Sequence, residues 1–315
     1  MKKIFLMIFL LWFLGGCDDK KSDLKEVDLV LDFVPNTNHT GIFVAIEYLK
    51  KEGIKLNVLS APEDSTSDLV ISGKAPFGIY FQESMGAKLS YNAPITAVAA
   101  IIEHNTSGIL SLKDLNDLTL IKYGSWNDPV ELSMIKHIFK KQGLNDYTFV
   151  PNTDSNSISS LKNDLFNACW VYYAWDGVLA KENLKDIKFT YLKDIDNVFD
   201  YYSPIIIANN EYLKNNKQQA KAVIKAIKQG YIYAMTNPEQ AADILIKYAP
   251  NLKNKRNFII SSQKYLSTRY AQNPQKWGEI DAKRWNDFYE WINQNQITKN
   301  PIPLNVGFSN EYLND

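Results

Sequence analysis

The chain has 315 residues, with Lys+Arg and Asp+Glu equal at 35 each. That length suffices for two lobes with separate cores, and the even charge balance excludes a nucleic-acid binder, which needs a cationic face to displace phosphate counterions. At 45% hydrophobic residues the chain is not disordered either. The compositional oddity is aromatic weight, 18 Tyr, 15 Phe and 7 Trp, some of it in segments without a helix or strand pattern.

Lys2 and Lys3 precede an apolar run over 4–14 that ends in Gly15-Gly16-Cys17. A cationic start and an apolar run of roughly 10 residues read as a signal peptide over 1–16, too short to span a bilayer. Leu14-Gly15-Gly16-Cys17 resembles the bacterial lipobox, which implies acylation of Cys17 and attachment to the membrane through that anchor. Asp18 and Asp19 resemble the signal that retains lipoproteins at the inner membrane, so the expected location is its periplasmic face. Residues 17–26 read as a polar tether. Cys169, between Ala168 and Trp170, reads as a buried thiol with no disulfide partner.

Residues 27–34 alternate and are rich in β-branched side chains, a strand. Pro35-Asn36-Thr37-Asn38-His39-Thr40-Gly41 follows, then a helix over 42–52 stopped by Gly53. Strands are expected over 56–59, 77–81 and 95–102, with a polar helix over 64–71. This spacing implies a parallel sheet with crossover helices. A second unit repeats the pattern: strand 118–123, turn 124–129, helix 129–141 opened by Pro129, strand 147–150, a Ser/Asn-rich helix to 162, and strands 167–172 and 187–192. Strand 202–208 returns to the first unit. Helices are expected over 212–235, from Asn237-Pro238 onward with Asn237 as cap, over 256–270 and over 282–295. The fold class is therefore α/β, two lobes with the second inserted into the first: 27–115 with 203–315, and 116–202.

Catalytic signatures are absent: there is no G-x-G-x-x-G, Walker A, G-x-S-x-G or H-E-x-x-H. His39, His104 and His137 lack metal-ligand spacing. His104 suits a packing or hinge role, and His137 sits on a helix surface. No cofactor is expected.

Three loops stand out, because ligands in open α/β sheets bind beyond the carboxyl ends of strands. The first carries Phe33, Asn36, Asn38 and His39. The second is Tyr80-Phe81-Gln82-Glu83-Ser84, of which Tyr80, Gln82 and Glu83 are candidates. The third is Tyr172-Tyr173-Ala174-Trp175-Asp176-Gly177, offering Tyr172, Trp175 and Asp176; Trp126 in the 124–129 turn joins them. Capping accounts equally well for Asn36 and Thr40, and core packing for the Tyr and Trp rings. Together, rings with amides and acids suit a flat, amine-bearing heteroaromatic ligand.

Asp32-Phe33-Val34-Pro35-Asn36-Thr37-Asn38-His39-Thr40-Gly41 resembles the D-W-x-P-N-T-N-H-T-G signature of the thiamine-pyrimidine-precursor family. Gly78-Ile79-Tyr80-Phe81-Gln82-Glu83, Gly124-Ser125-Trp126-Asn127-Asp128-Pro129-Val130-Glu131 and Tyr173-Ala174-Trp175-Asp176-Gly177 are similar to further blocks of it. The resemblance implies a type II periplasmic-binding fold with a ligand cleft between lobes. It also implies capture of a 4-amino-2-methylpyrimidine, formylaminopyrimidine-like, for delivery to an ABC permease and its ATPase in thiamine salvage. By the same resemblance, Phe33 (usually Trp) and Tyr172 sandwich the pyrimidine, while Asn38 and Asp176 (usually Glu) bond its ring nitrogens and amino group. The family also contains a fungal synthase in which the histidine at position 39 is consumed beside a Lys-bound pyridoxal phosphate. The expectation here is a binding protein and not an enzyme. Sibling importers bind sulfonates, nitrate or a flavin; anionic ligands want clustered cations, and the three arginines, Arg256, Arg269 and Arg284, all fall in the C-terminal helices.

Overall fold

The computed structural model describes residues 24–60, 66–152 and 157–314. The signal peptide, the lipobox with Cys17 and most of the tether lie outside the described residues. Among the described residues, ten strands build two five-stranded sheets. The first contains β1 (Lys25–Leu31), β2 (Ile54–Ser60), β3 (Phe77–Tyr80), β4 (Ile95–Ala100) and β10 (Ile205–Asn209), in the order β2-β1-β3-β10-β4. The second contains β5 (Ser107–Ser111), β6 (Ile121–Ser125), β7 (Tyr147–Pro151), β8 (Ala168–Tyr172) and β9 (Lys188–Tyr191), in the order β7-β6-β8-β5-β9. The expected tether is shorter than drawn, because Lys25 and Glu26 already pair with Ile54 and Lys55.

Both sheets are mixed, which corrects the all-parallel expectation. β1 pairs in parallel with β2 and β3 as a strand–helix–strand unit does, but β10 runs antiparallel to β3 and β4, and β5 antiparallel to β8 and β9. These two strands arrive from the other lobe without a crossover helix, so nothing imposes the parallel direction on them. Residues 107–111, placed above with the first lobe, form β5, an interior strand of the second sheet between β8 and β9. A glycine and two serines in five residues hide its strand character, yet all five are buried. The expected helix over 212–235 is two helices, Asn210–Asn215 and Lys217–Thr236, separated at the non-helical Asn216. Asn237 does not cap the helix Pro238–Tyr248; its amide reaches back to the Tyr233 carbonyl.

One apolar cluster lies between the first sheet and the helices Thr40–Lys51, Lys217–Thr236, Pro238–Tyr248 and Arg256–Ser267. A second continues across the lobes, from Ile95 and Ile205 through Tyr201, Tyr202 and Trp291 to Met134 and Phe139 of the helix Pro129–Lys141. Cys169 is buried in a third, within the second lobe, where its burial pushes the thiol well up. At the crossings, His104 Nδ1 lies 2.6 Å from Asp200 Oδ2, Asp200 Oδ1 accepts the Asn105 N–H at 2.9 Å, and Arg284 Nη1 donates to Asp200 at 3.1 Å. His104 thus ties the two connecting segments together. His137 is half-buried and meets Asp196 at 2.9 Å. Among the described residues no helix is long and apolar enough to cross a membrane.

The helices Thr40–Lys51 and Lys217–Thr236 approach so closely that a Cβ on Gly230 would lie 2.0 Å from the Gly41 carbonyl oxygen, and one on Gly41 would lie 2.3 Å from the Tyr231 ring. Backbone cannot yield as a flexible side chain does, so Gly230→Ala forces the helices apart. It is expected to cost about 1–3 kcal/mol, as overpacking does, read as a lowered midpoint in urea unfolding with an unchanged slope.

Candidate functional site

The segment after β1 is held by its own side chains. Asn36 Oδ1 accepts the Asn38 N–H at 2.9 Å and caps the short 3₁₀ turn Thr37–His39, while Asn36 Nδ2 donates to the Val34 carbonyl. His39 Nδ1 accepts the Asn36 N–H at 3.2 Å, so its ring proton sits on Nε2, which faces Asp32 Oδ1 at 2.6 Å. His39 has no exposed side-chain surface. From below, the Tyr231 hydroxyl donates to the Asn38 carbonyl, and the Tyr231 ring stacks on Trp277 at 4.4 Å.

The opposite wall comes from the end of β8. Tyr172 is the last strand residue, and Tyr173–Gly177 forms a single π-helical turn, not the α-turn that would set Tyr172 and Asp176 on one helix face. The Tyr172 hydroxyl crosses to the first lobe and donates to Glu83 Oε1 at 3.0 Å. Its ring lies near-parallel to Phe81, at 6.1 Å and 18°. Glu83 also accepts from Ser203 Oγ at 3.3 Å, while its second oxygen is buried without a partner. Burial pushes the Glu83 carboxyl up to about 7, against the hydrogen bonds it accepts from its own backbone N–H, Tyr172 and Ser203. Burial likewise raises Asp176 to about 6, opposed by backbone hydrogen bonds.

Between these walls lies a cavity of about 520 Å³. The first lobe contributes Asp32, Phe33, Asn36, Asn38, Phe81 and Pro204; the second contributes Trp126, Ser157, Trp170, Val171, Tyr172, Trp175 and Asp176. Seven of the expected residues thus meet in one place: Phe33, Asn36, Asn38, Trp126, Tyr172, Trp175 and Asp176. The structure sets His39, Tyr80, Gln82 and Glu83 apart from the lining. His39 and Glu83 support cavity residues, as above. Gln82 accepts the Tyr202 N–H at 2.8 Å and donates to the Trp285 carbonyl at 3.0 Å, welding the loop to the core. Tyr80 packs against the second apolar cluster. Phe33 and Trp126 stand at the rim, 41% and 49% exposed.

Asp32, Phe81, Ser157, Trp170, Val171 and Pro204 were not expected there. Asp32 and Phe81 belong to the motifs quoted above, and Trp170 shares a strand face with Tyr172 by simple alternation. Two cavity residues carry unmatched buried atoms, Asn38 Oδ1, an acceptor, and Trp170 Nε1, a donor. Such a group costs about 1–3 kcal/mol if left unpaired, so the cavity is suited to a polar occupant. No lysine or arginine is among the described lining residues.

Residues 36–241 match the NMT1/THI5-like family. The chain belongs to that family. The formylaminopyrimidine-binding protein of Halalkalibacterium halodurans is 23% identical over 98% of both chains. The 4-amino-5-hydroxymethyl-2-methylpyrimidine phosphate synthase THI11 of Saccharomyces cerevisiae is 25% identical over 74% of both. Among solved structures, the periplasmic aliphatic sulphonate-binding protein SsuA from Escherichia coli superposes with a TM-score of 0.67 at 13% identity, covering 88% of this chain and 90% of that one. The fold is that of the two-lobed periplasmic solute-binding proteins.

Glu83 binds its proton more tightly folded than unfolded. Its contribution is fully present below its ordinary value of 4.5 and is lost as pH rises through about 7. The thermal midpoint of the ligand-free protein, taken relative to that of Glu83→Gln, is therefore expected to fall as pH rises across that window. A difference that stays flat assigns the ionisation elsewhere.

Proposed function

We propose that this protein is the extracytoplasmic solute-binding component of an ABC importer. It captures a 4-amino-2-methylpyrimidine thiamine precursor, formylaminopyrimidine-like, and hands it to a permease and its ATPase for thiamine salvage. Acylation of Cys17 would hold it at the periplasmic face of the inner membrane. The observation that carries this reading is the lining of the inter-lobe cavity: aromatic faces from both lobes, two carboxylates, an unmatched acceptor and an unmatched donor, with no cation. A flat ring stacks on such faces, its amino group donates to a carboxylate, and its ring nitrogens meet the amide. Alkanesulfonates or nitrate would face Asp32 and Asp176 with no positive partner. The two chain crossings let the lobes close on the ligand, presenting the permease with a closed shape.

The fungal synthases among the relatives favour a second reading, in which position 39 reacts beside a Lys-bound pyridoxal phosphate. The described residues do not fit that group. No lysine lines the cavity, two carboxylates would face the phosphate, and His39 is enclosed behind Asp32. No step is derived through it.

Titration calorimetry with formylaminopyrimidine and with an alkanesulfonate tests the proposal: the pyrimidine is expected to bind and the sulfonate not. Asp176→Asn is expected to weaken pyrimidine binding by about 1–3 kcal/mol, because a buried donor on the ligand loses its charged acceptor. Phe33→Ala is expected to weaken it through lost stacking. An unchanged dissociation constant in Asp176→Asn removes that carboxylate from the site.

A further inference from the structure

Ser262 belongs to no motif in the sequence, and it lies in the helix Arg256–Ser267, outside the cavity. It is fully buried between the two ligand-facing segments. Its hydroxyl donates to the Ala174 carbonyl, inside the π-helical turn of the second lobe. A hydroxyl has one proton, so at the other contact, 2.6 Å from Thr37 Oγ1, Ser262 accepts and Thr37 donates. Thr37 stands in the Asn36–His39 turn of the first lobe. Its carbonyl accepts in turn from the Tyr270 hydroxyl at 2.7 Å, and Gln263 Nε2 donates to that hydroxyl at 3.2 Å. The chain of donors runs one way, from Thr37 through Ser262 to the turn that carries Trp175 and Asp176. Around it, Ala174 and Val178 join the apolar cluster of the first lobe, and Trp175 packs edge-on to Phe258 at 4.8 Å.

We infer that Ser262 is a positioning residue for the ligand site: its hydroxyl locks the Tyr173–Gly177 turn of one lobe to the Asn36–His39 turn of the other. Asn38 and Asp176, one on each side of the ligand, are thereby set relative to one another wherever the two turns meet as they do here. This rests on the proposed pyrimidine-binding function for its affinity arm only. The hydroxyl series forms a buried network in which loss of one member orphans the next, so the effects of its members do not add.

The full chain is tested as Ser262→Ala, Thr37→Val, the double variant, and Thr37→Ser as the conservative control. Calorimetry with formylaminopyrimidine is expected to show a fivefold to fiftyfold weakening in Ser262→Ala, no further loss in the double variant, and near-wild-type affinity in Thr37→Ser. Hydrogen exchange on the ligand-free proteins is expected to show faster exchange of the 173–177 amides in Thr37→Val, although the Thr37 hydroxyl donates to Ser262 and not to that turn. Affinity within twofold of wild type in Ser262→Ala overturns the inference, as do losses that multiply in the double variant. If wild type does not bind the pyrimidine, the functional reading fails, and the exchange arm alone decides. Unchanged 173–177 protection in Thr37→Val then refutes the relay.

Discussion

The 2.6 Å contact between His39 Nε2 and Asp32 Oδ1 ties the start of the first motif to the end of its 3₁₀ turn. Because Nδ1 already accepts the Asn36 N–H, the ring has one proton to give, and Asp32 receives it. That fixes the tautomer, the ring plane and the course of the backbone from 32 to 39. It also spends one oxygen of Asp32 on the protein while leaving the carboxylate on the cavity wall. The Tyr231 hydroxyl then takes the Asn38 carbonyl, so the Asn38 side chain is the part of that residue left to face a ligand. Tyr231 reaches this place because Gly41 and Gly230 let their helices touch. A wall preformed in this way loses little freedom when a ligand arrives, which is where affinity is otherwise lost.

A shared fold says nothing by itself about cargo. The sulphonate-binding protein that this chain superposes on and the present protein have the same two-lobed plan, so discrimination must lie in what lines the cleft. Here the lining carries two carboxylates and no described cation. Against the buried, low-polarity wall of this cavity, an anion would lose hydration without a compensating positive partner. The raised Asp176 carboxyl reflects the same low polarity acting on the protein's own charge. A ligand that brings N–H donors relieves that penalty, and one that brings negative charge adds to it.

The local pattern of the sequence carried much of this architecture. Alternation located β1, and Pro129 marked the start of a helix that Asp128 caps, accepting from Val130 at 2.8 Å. Strand direction was not legible, since β5 and β10 owe theirs to where the chain crosses between lobes, a tertiary fact with no local trace. The candidate residues were legible as a group but not by role. Asn38 and His39 are neighbours of similar polarity; one faces the cavity and the other braces it, and only the path of the backbone separates them. Glu83 and Asp176 are both acids beside aromatic rings, yet Glu83 bonds a ring from behind while Asp176 lines the cavity. Ser262 was invisible, because a lone serine in an amphipathic helix has no pattern to announce it.

Tyr172 shows how these levels combine. Its hydroxyl is held by Glu83, one face of its ring runs beside Phe81, and both partners belong to the opposite lobe. The ring that would stack on a ligand is therefore oriented by the first lobe although the second lobe carries it. Parting the lobes would break the Tyr172 hydrogen bond to Glu83 and expose its carboxyl to water, which favours the ionised form. The orientation of the Tyr172 face therefore depends on the two lobes meeting as they do here, whereas Trp126, Trp170 and Trp175 belong to the second lobe alone.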